Sequence, residues 1–228
     1  MASPFDAAAK VETAYLRMVR TLFGLASLIL LGAGLAASPA LAEADDASLQ
    51  TAAVETVEAL HAGLTELMAT ASEKGVDGMQ AFVGDVVDET YNLPGLTAQS
   101  ISPSAFRQYS DEERSRVVAA YRLFAVANYV SQFGKKLPIT FETIGASQGP
   151  NGAVLVETQL NRQNGDPVQL VYVIAGKDTQ RGITDVQYNG VSEAARRRSE
   201  LSSLAREGAD VLAAALEDKA AQLAAASE

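Results

Sequence analysis

The chain has no cysteine, no tryptophan and a single histidine, and its 28 acidic residues outnumber 18 Lys+Arg. Each shortage removes a class of function. Without cysteine there is no structural disulfide, and no lipidated thiol can tether the chain to a membrane. With one histidine and no cysteine, a zinc site would need three carboxylates. A formal net charge of -10 leaves no broad basic face for a polyanion, which excludes nucleic acid as a partner. The run Arg196, Arg197, Arg198 is too short to reverse that reading.

Long apolar runs are scarce as well, and the one present lies near the start. Lys10, Arg17 and Arg20 precede LFGLASLILLGAGLAA, which is followed by SPALA and the acidic EADD. A basic start, an apolar centre and small residues at Ala40 and Ala42 predict a secretory signal over 1–42, cleaved after Ala42. The run is short for a span of about 20 residues and is broken by Gly24, Gly32 and Gly34, which argues against an uncleaved anchor. Residues 43–228 are expected to form one soluble domain with a sizeable core.

Within that domain, Leu49, Ala53, Val57, Leu60, Leu64 and Leu67 recur at spacings of three and four, predicting a helix over 47–74 that Gly75 stops. A second helix carries Met79, Phe82, Val83, Val86 and Val87, with Asn92, Pro94 and Gly95 as its end and a turn at Ser102 and Pro103. Ser110 and Glu113 form a capping box, and Asp111, Glu112 and Glu113 complement the dipole of the helix that follows. From Val117 to Phe133 only Arg122, Asn128, Ser131 and Gln132 interrupt the apolar residues, so this helix is buried on most sides or lines a cavity. The period then changes to two. Ile139 to Thr143, Val154 to Leu160, Val168 to Ile174 and Ile183 to Tyr188 predict a four-stranded antiparallel sheet, with Leu155, Val171 and Val173 suggesting cover on both faces. Ser192 caps a helix through Arg206, Gly208 breaks it, and Val211, Leu212, Leu216 and Leu223 mark a last helix. The class is α+β: N-terminal helices, a curved sheet, C-terminal helices.

The inventory for catalysis is thin. His61 sits inside the first amphipathic helix and reads as a surface or packing residue. Asp85, Asp88 and Glu89 lie one turn apart and read as a solvated acidic face. Gly-Val-Ser-Glu-Ala at 190–194 lacks the second glycine of a nucleophile elbow, and no phosphate loop or dinucleotide fingerprint is present. No enzyme, metal or cofactor is expected.

The segment DVQYNGVSEAARRRSELSSLAREGADVLAAALEDK resembles the C-terminal signature of the periplasmic phospholipid-shuttle family of Mla-type lipid transport, also called toluene-tolerance auxiliary proteins. Asp185, Val186, Gly190, Val191, Ser192, Arg198, Ser199, Gly208, Leu212 and Leu216 fall on that signature, and YSDEERSRVVAAYRLFAVANYVSQF is similar to the family's long helix. The tryptophan that commonly opens the family's fourth strand is absent, replaced by RGITDV, and Leu201 stands where an aromatic is expected. Arg196, Arg197 and Glu193 lean toward the hopanoid-associated branch.

The resemblance implies a periplasmic, monomeric, non-catalytic carrier of phospholipid or hopanoid with a deep apolar pocket. It also implies traffic between an outer-membrane lipoprotein complex and an inner-membrane ABC-type transporter, in the service of outer-membrane lipid asymmetry. A diacyl lipid exposes about 30 methylenes, and at roughly 0.8 kcal/mol each its bare passage through water costs more than about 20 kcal/mol. The expected pocket wall is Tyr121, Phe124, Val126 and Val130 of the over-apolar helix with Phe141, Val156, Leu170 and Tyr172 of the sheet, and Phe82 and Val86 as a flap. Three consecutive arginines cover about 200° of a helix and cannot share one task. Arg198 is expected at the sheet or pocket rim, pairing with a carboxylate or a lipid phosphate, and Arg196 and Arg197 toward water or an acidic partner. The competing reading is a periplasmic adaptor with a filled core that docks on a transporter or hopanoid-pathway complex without carrying lipid.

Overall fold

A computed structural model describes residues 39–227 of the chain. The predicted signal segment lies outside the described residues except for 39–42, which open the first helix.

The two helices expected on either side of Gly75 are both present and are numbered together as α1 (Pro39–Thr90), with a kink between them. The bend is at Gly75, whose φ of 63° and ψ of 173° leave the helical region. A Cβ there would meet nothing within 4 Å, so glycine is required by the backbone angle and not by crowding. Leu60, Leu64 and Leu67 before the bend, and Met79, Val83 and Val87 after it, are buried.

Asn92, Pro94 and Gly95 do more than end a helix. The Asn92 side chain accepts the Gly95 N–H at 2.9 Å and opens α2 (Leu93–Ile101), with proline in its first turn. An asparagine N-cap and an early proline favour initiation, so residues read as a stop also start the next helix. The expected turn at Ser102 is followed at once by a short helix, α3 (Pro103–Gln108). The long helix α4 (Asp111–Phe133) opens with the predicted capping box: Ser110 Oγ accepts the Glu113 N–H at 3.2 Å, and Glu113 Oε2 accepts the Ser110 N–H at 2.7 Å.

The sheet runs in sequence order: β1 (Ile139–Gln148), β2 (Val154–Arg162), β3 (Val168–Ala175) and β4 (Gly182–Tyr188), all antiparallel. It has a fifth strand that the sequence reading missed, β5 (Val191–Ser192). Asn189 and Gly190 both have positive φ, 48° and 81°, which is the geometry of a tight two-residue hairpin, and they fold Val191 and Ser192 back onto β4. Two C-terminal helices follow, α5 (Glu193–Glu207) and α6 (Ala209–Ala225), parted at Gly208. Among the described residues no helix is long and apolar enough to cross a membrane.

The buried side chains form two clusters. In the first, α1 lies on the inward face of the sheet, where Val156, Leu170, Tyr172, Ile174 and Ile183 are nearly inaccessible. In the second, α2, α5 and α6 meet through Leu96, Ile101, Leu201, Leu212 and Leu216. Helix α4 serves both: Val117, Tyr121 and Phe124 belong to the second, Val126, Val130 and Phe133 to the first. That double membership explains why so much of α4 is apolar, although Leu123 is left 49% exposed. Leu155, Val171 and Val173 on the other face of the sheet are only partly buried and join neither cluster, so the expectation of two covered faces is not met there.

The two clusters are stitched at one close crossing. The Asn92 N–H donates to the Ile183 carbonyl at 3.1 Å, and a Cβ at Gly182 would lie 2.6 Å from the Asn92 nitrogen. Glycine at the start of β4 lets the α1–α2 junction rest directly on the strand.

Candidate functional site

Where the two clusters meet along α4 they leave a cavity of about 350 Å³. Helix α4 contributes Tyr121, Phe124, Ala125, Asn128, Tyr129 and Gln132, the α1–α2 junction Tyr91 and Leu96, strand β4 Asp185, Val186 and Tyr188, and helix α5 Glu193, Arg196 and Arg197. The lining is therefore amphipathic, with Leu96, Phe124, Ala125 and Val186 as its apolar part.

The tyrosines supply neutral hydrogen-bonding groups. The hydroxyls of Tyr91 and Tyr129 bond each other, and Tyr121 donates to Ser100 Oγ at 2.8 Å. Burial pushes the Tyr121 phenol up to about 12 and raises Tyr91 and Tyr129 as well, so these groups are un-ionised at neutral pH.

Charge enters from α5. Asp185 binds that helix to β4: its carboxylate accepts from Ser192 Oγ at 2.6 Å and from the Ala194 N–H at 2.9 Å. Ser192 Oγ in turn accepts the Ala195 N–H at 3.0 Å, the cap expected from the sequence. An acidic group at a helix N-terminus satisfies otherwise unpaired N–H groups and suits the dipole.

The three arginines divide the work, as three adjacent positions on a helix must. Arg196 bonds Glu193 at 2.6 Å and also Glu200. Arg197 is more enclosed than Arg196, with its side chain 13% exposed, Nε 2.9 Å from Glu193, Nη1 3.2 Å from Glu200 and its guanidinium 4.6 Å from the centre of the Phe124 ring. Both line the cavity. Arg198 does not; its Nε donates to the Gln99 carbonyl at 2.8 Å and Nη2 to Gln99 Oε1 at 3.3 Å. That carbonyl lies in the last turn of α2, where carbonyls lack partners within the helix, so Arg198 ties α5 to the end of α2.

Of the wall predicted from the sequence, Tyr121 and Phe124 line the cavity. Val126, Val130, Val156, Leu170 and Tyr172 are gathered in the first cluster, with Phe82, Val86 and Phe141 packed partly exposed against it. Sequence reasoning missed Tyr91, Ala125, Tyr129, Tyr188 and the Arg197–Glu193 pair. Asn128 and Gln132 gave the one usable signal, being amides in an otherwise apolar stretch.

His61 lies apart from the cavity lining. Its Nε2 is 2.9 Å from the Tyr172 hydroxyl, its ring stacks on Phe141 at 4.2 Å, and burial pulls its pKa down to about 4. It is a packing residue, neutral at pH 7. Asp88 of the acidic trio pairs with Arg122 at 2.6 Å, and no metal-binding group of side chains occurs among the described residues.

Two cores joined by one shared helix define an α+β domain with a partly open amphipathic hollow at the seam. The chain belongs to the MlaC protein family, whose model matches residues 58–218. Among solved structures it is similar to a phospholipid-binding protein from Ralstonia solanacearum in complex with a phospholipid. The two share 15% identity over 77% of this chain and 98% of that one, with a TM-score of 0.61, which establishes a common fold. No curated protein matches the chain.

Proposed function

We propose that the protein is a periplasmic lipid carrier that takes a phospholipid or hopanoid-type lipid and passes it between outer-membrane and inner-membrane components of an ABC-type transport system. The observation that carries the reading is the seam cavity, apolar at Leu96, Phe124, Ala125 and Val186 and charged where α5 borders it. Membership of the MlaC family and a fold shared with a phospholipid-bound protein support it.

Native mass spectrometry of the protein, exported and purified without detergent, tests the reading. Adducts of phospholipid or hopanoid mass are expected. A bare polypeptide mass that persists after incubation with phospholipid vesicles would replace the carrier with the adaptor, a module that docks on a transporter without cargo.

A further inference from the structure

Beside the cavity lies a second hollow of about 270 Å³ that shares Phe124, Asn128 and Arg197 with it and adds Lys219, Gln222 and Leu223 from α6. Two cations and two carboxamides line it and no carboxylate does, in a chain whose net charge is -10. One of its cations is ion-paired but keeps a donor, and the other makes no ion pair among the described residues. Arg197 gives Nε and Nη1 to Glu193 and Glu200, whereas its Nη2 makes no hydrogen bond among the described residues. Lys219 has no ion pair among them either, although Arg114, Arg116, Arg122, Arg196 and Arg197 all do.

We propose that this hollow is a phosphate-binding site, with Lys219 supplying a point charge, Arg197 Nη2 donating hydrogen bonds, and the amides of Asn128 and Gln222 completing the donor set. Several donors converging on one hollow suit an anion with three or four acceptor oxygens better than a carboxylate with two. The wall shared with the cavity decides how a ligand lies. A molecule whose chain occupies the cavity can cross beside the Phe124 ring and place its phosphodiester against α6. Assigning the phosphate to a lipid rests on the carrier reading; inorganic phosphate is the other source of the same chemistry.

The test uses vesicles containing equal amounts of phosphatidylglycerol and diacylglycerol with identical chains. Native mass spectrometry reads the ratio of the two adducts. The wild-type protein is expected to favour phosphatidylglycerol, and Lys219→Gln to lower the ratio about tenfold, the size of one charge-assisted hydrogen bond. Lys135→Gln, a lysine outside the hollow, is expected to leave it unchanged. Calorimetric titration with inorganic phosphate runs beside it. A ratio that Lys219→Gln does not alter overturns the lipid-phosphate assignment. If no lipid is taken up but inorganic phosphate binds the wild type and not Lys219→Gln, the site stands with free phosphate as its ligand and the carrier reading falls. If neither lipid nor phosphate binds, both fall.

Discussion

At the scale of single residues, burial and the angle between neighbouring helices set roles that sequence spacing leaves open. His61 is neutral in the folded chain because burial lowers its pKa from 6.5 to about 4. Between those values the unfolded chain binds a proton that the folded chain refuses, so stability is lost as pH falls from about 6.5 toward 4. The full shift corresponds to a loss on the order of 3 kcal/mol. Urea unfolding across this range should show a steeper acid slope for the wild type than for His61→Gln; equal slopes would remove His61 from the account. Arg198 illustrates the spacing problem. That three adjacent arginines must diverge was legible, since a helix turns 100° per residue. Which of them meets the cavity depends on how α5 lies against α2 and α4, and no local pattern records that. Arg198→Ala is expected to cost about 1 kcal/mol, through the lost link to Gln99, with lipid content intact. Loss of lipid at unchanged stability would return Arg198 to the binding site.

At the scale of elements, helix starts were the most readable feature because they are written in side-chain chemistry. Ser110 with Glu113, and Ser192, each make the bonds that their residue types imply. Helix α2 was not read, because Asn92 and Pro94 serve equally as an end and as a beginning, and only the packing of Leu96 and Ile101 into the second cluster decides between them. The fifth strand was lost for a similar reason: two residues carry no period, and its sole mark was the Asn189–Gly190 turn. Gly75 interrupts the helical path as its residue type implies, and the two arms of α1 meet there at a kink. Its φ and ψ lie in a region that side chains other than glycine's avoid, so Gly75→Ala should destabilise the fold by about 1–3 kcal/mol, although the added methyl has open space. An unchanged denaturation midpoint would mean that α1 can straighten or relax at no cost.

For the whole molecule, the question is where an acyl chain goes, and the sequence pattern and the seam cavity point to different surfaces for a physical reason. An inward-facing strand residue and a cavity-lining residue share the same apolar pattern, since periodicity reports burial and not what does the burying. Val156, Leu170 and Tyr172 read as pocket wall, yet α1 occupies the space in front of them. The seam cavity arises instead from two clusters that share α4, a tertiary arrangement with no local signature. Two substitutions separate the locations. Val156 is 0% exposed, so Val156→Trp overpacks the first cluster and should lower stability by about 1–3 kcal/mol whether or not lipid is present. Ala125 lines the cavity and is only partly buried, so Ala125→Trp should place an indole in the hollow, lower the lipid retained from vesicles severalfold and leave the melting temperature close to that of the wild type. If Ala125→Trp keeps its lipid while Val156→Trp loses it without losing stability, the chain lies against the sheet, and α1 must lift away from the strands for cargo to enter.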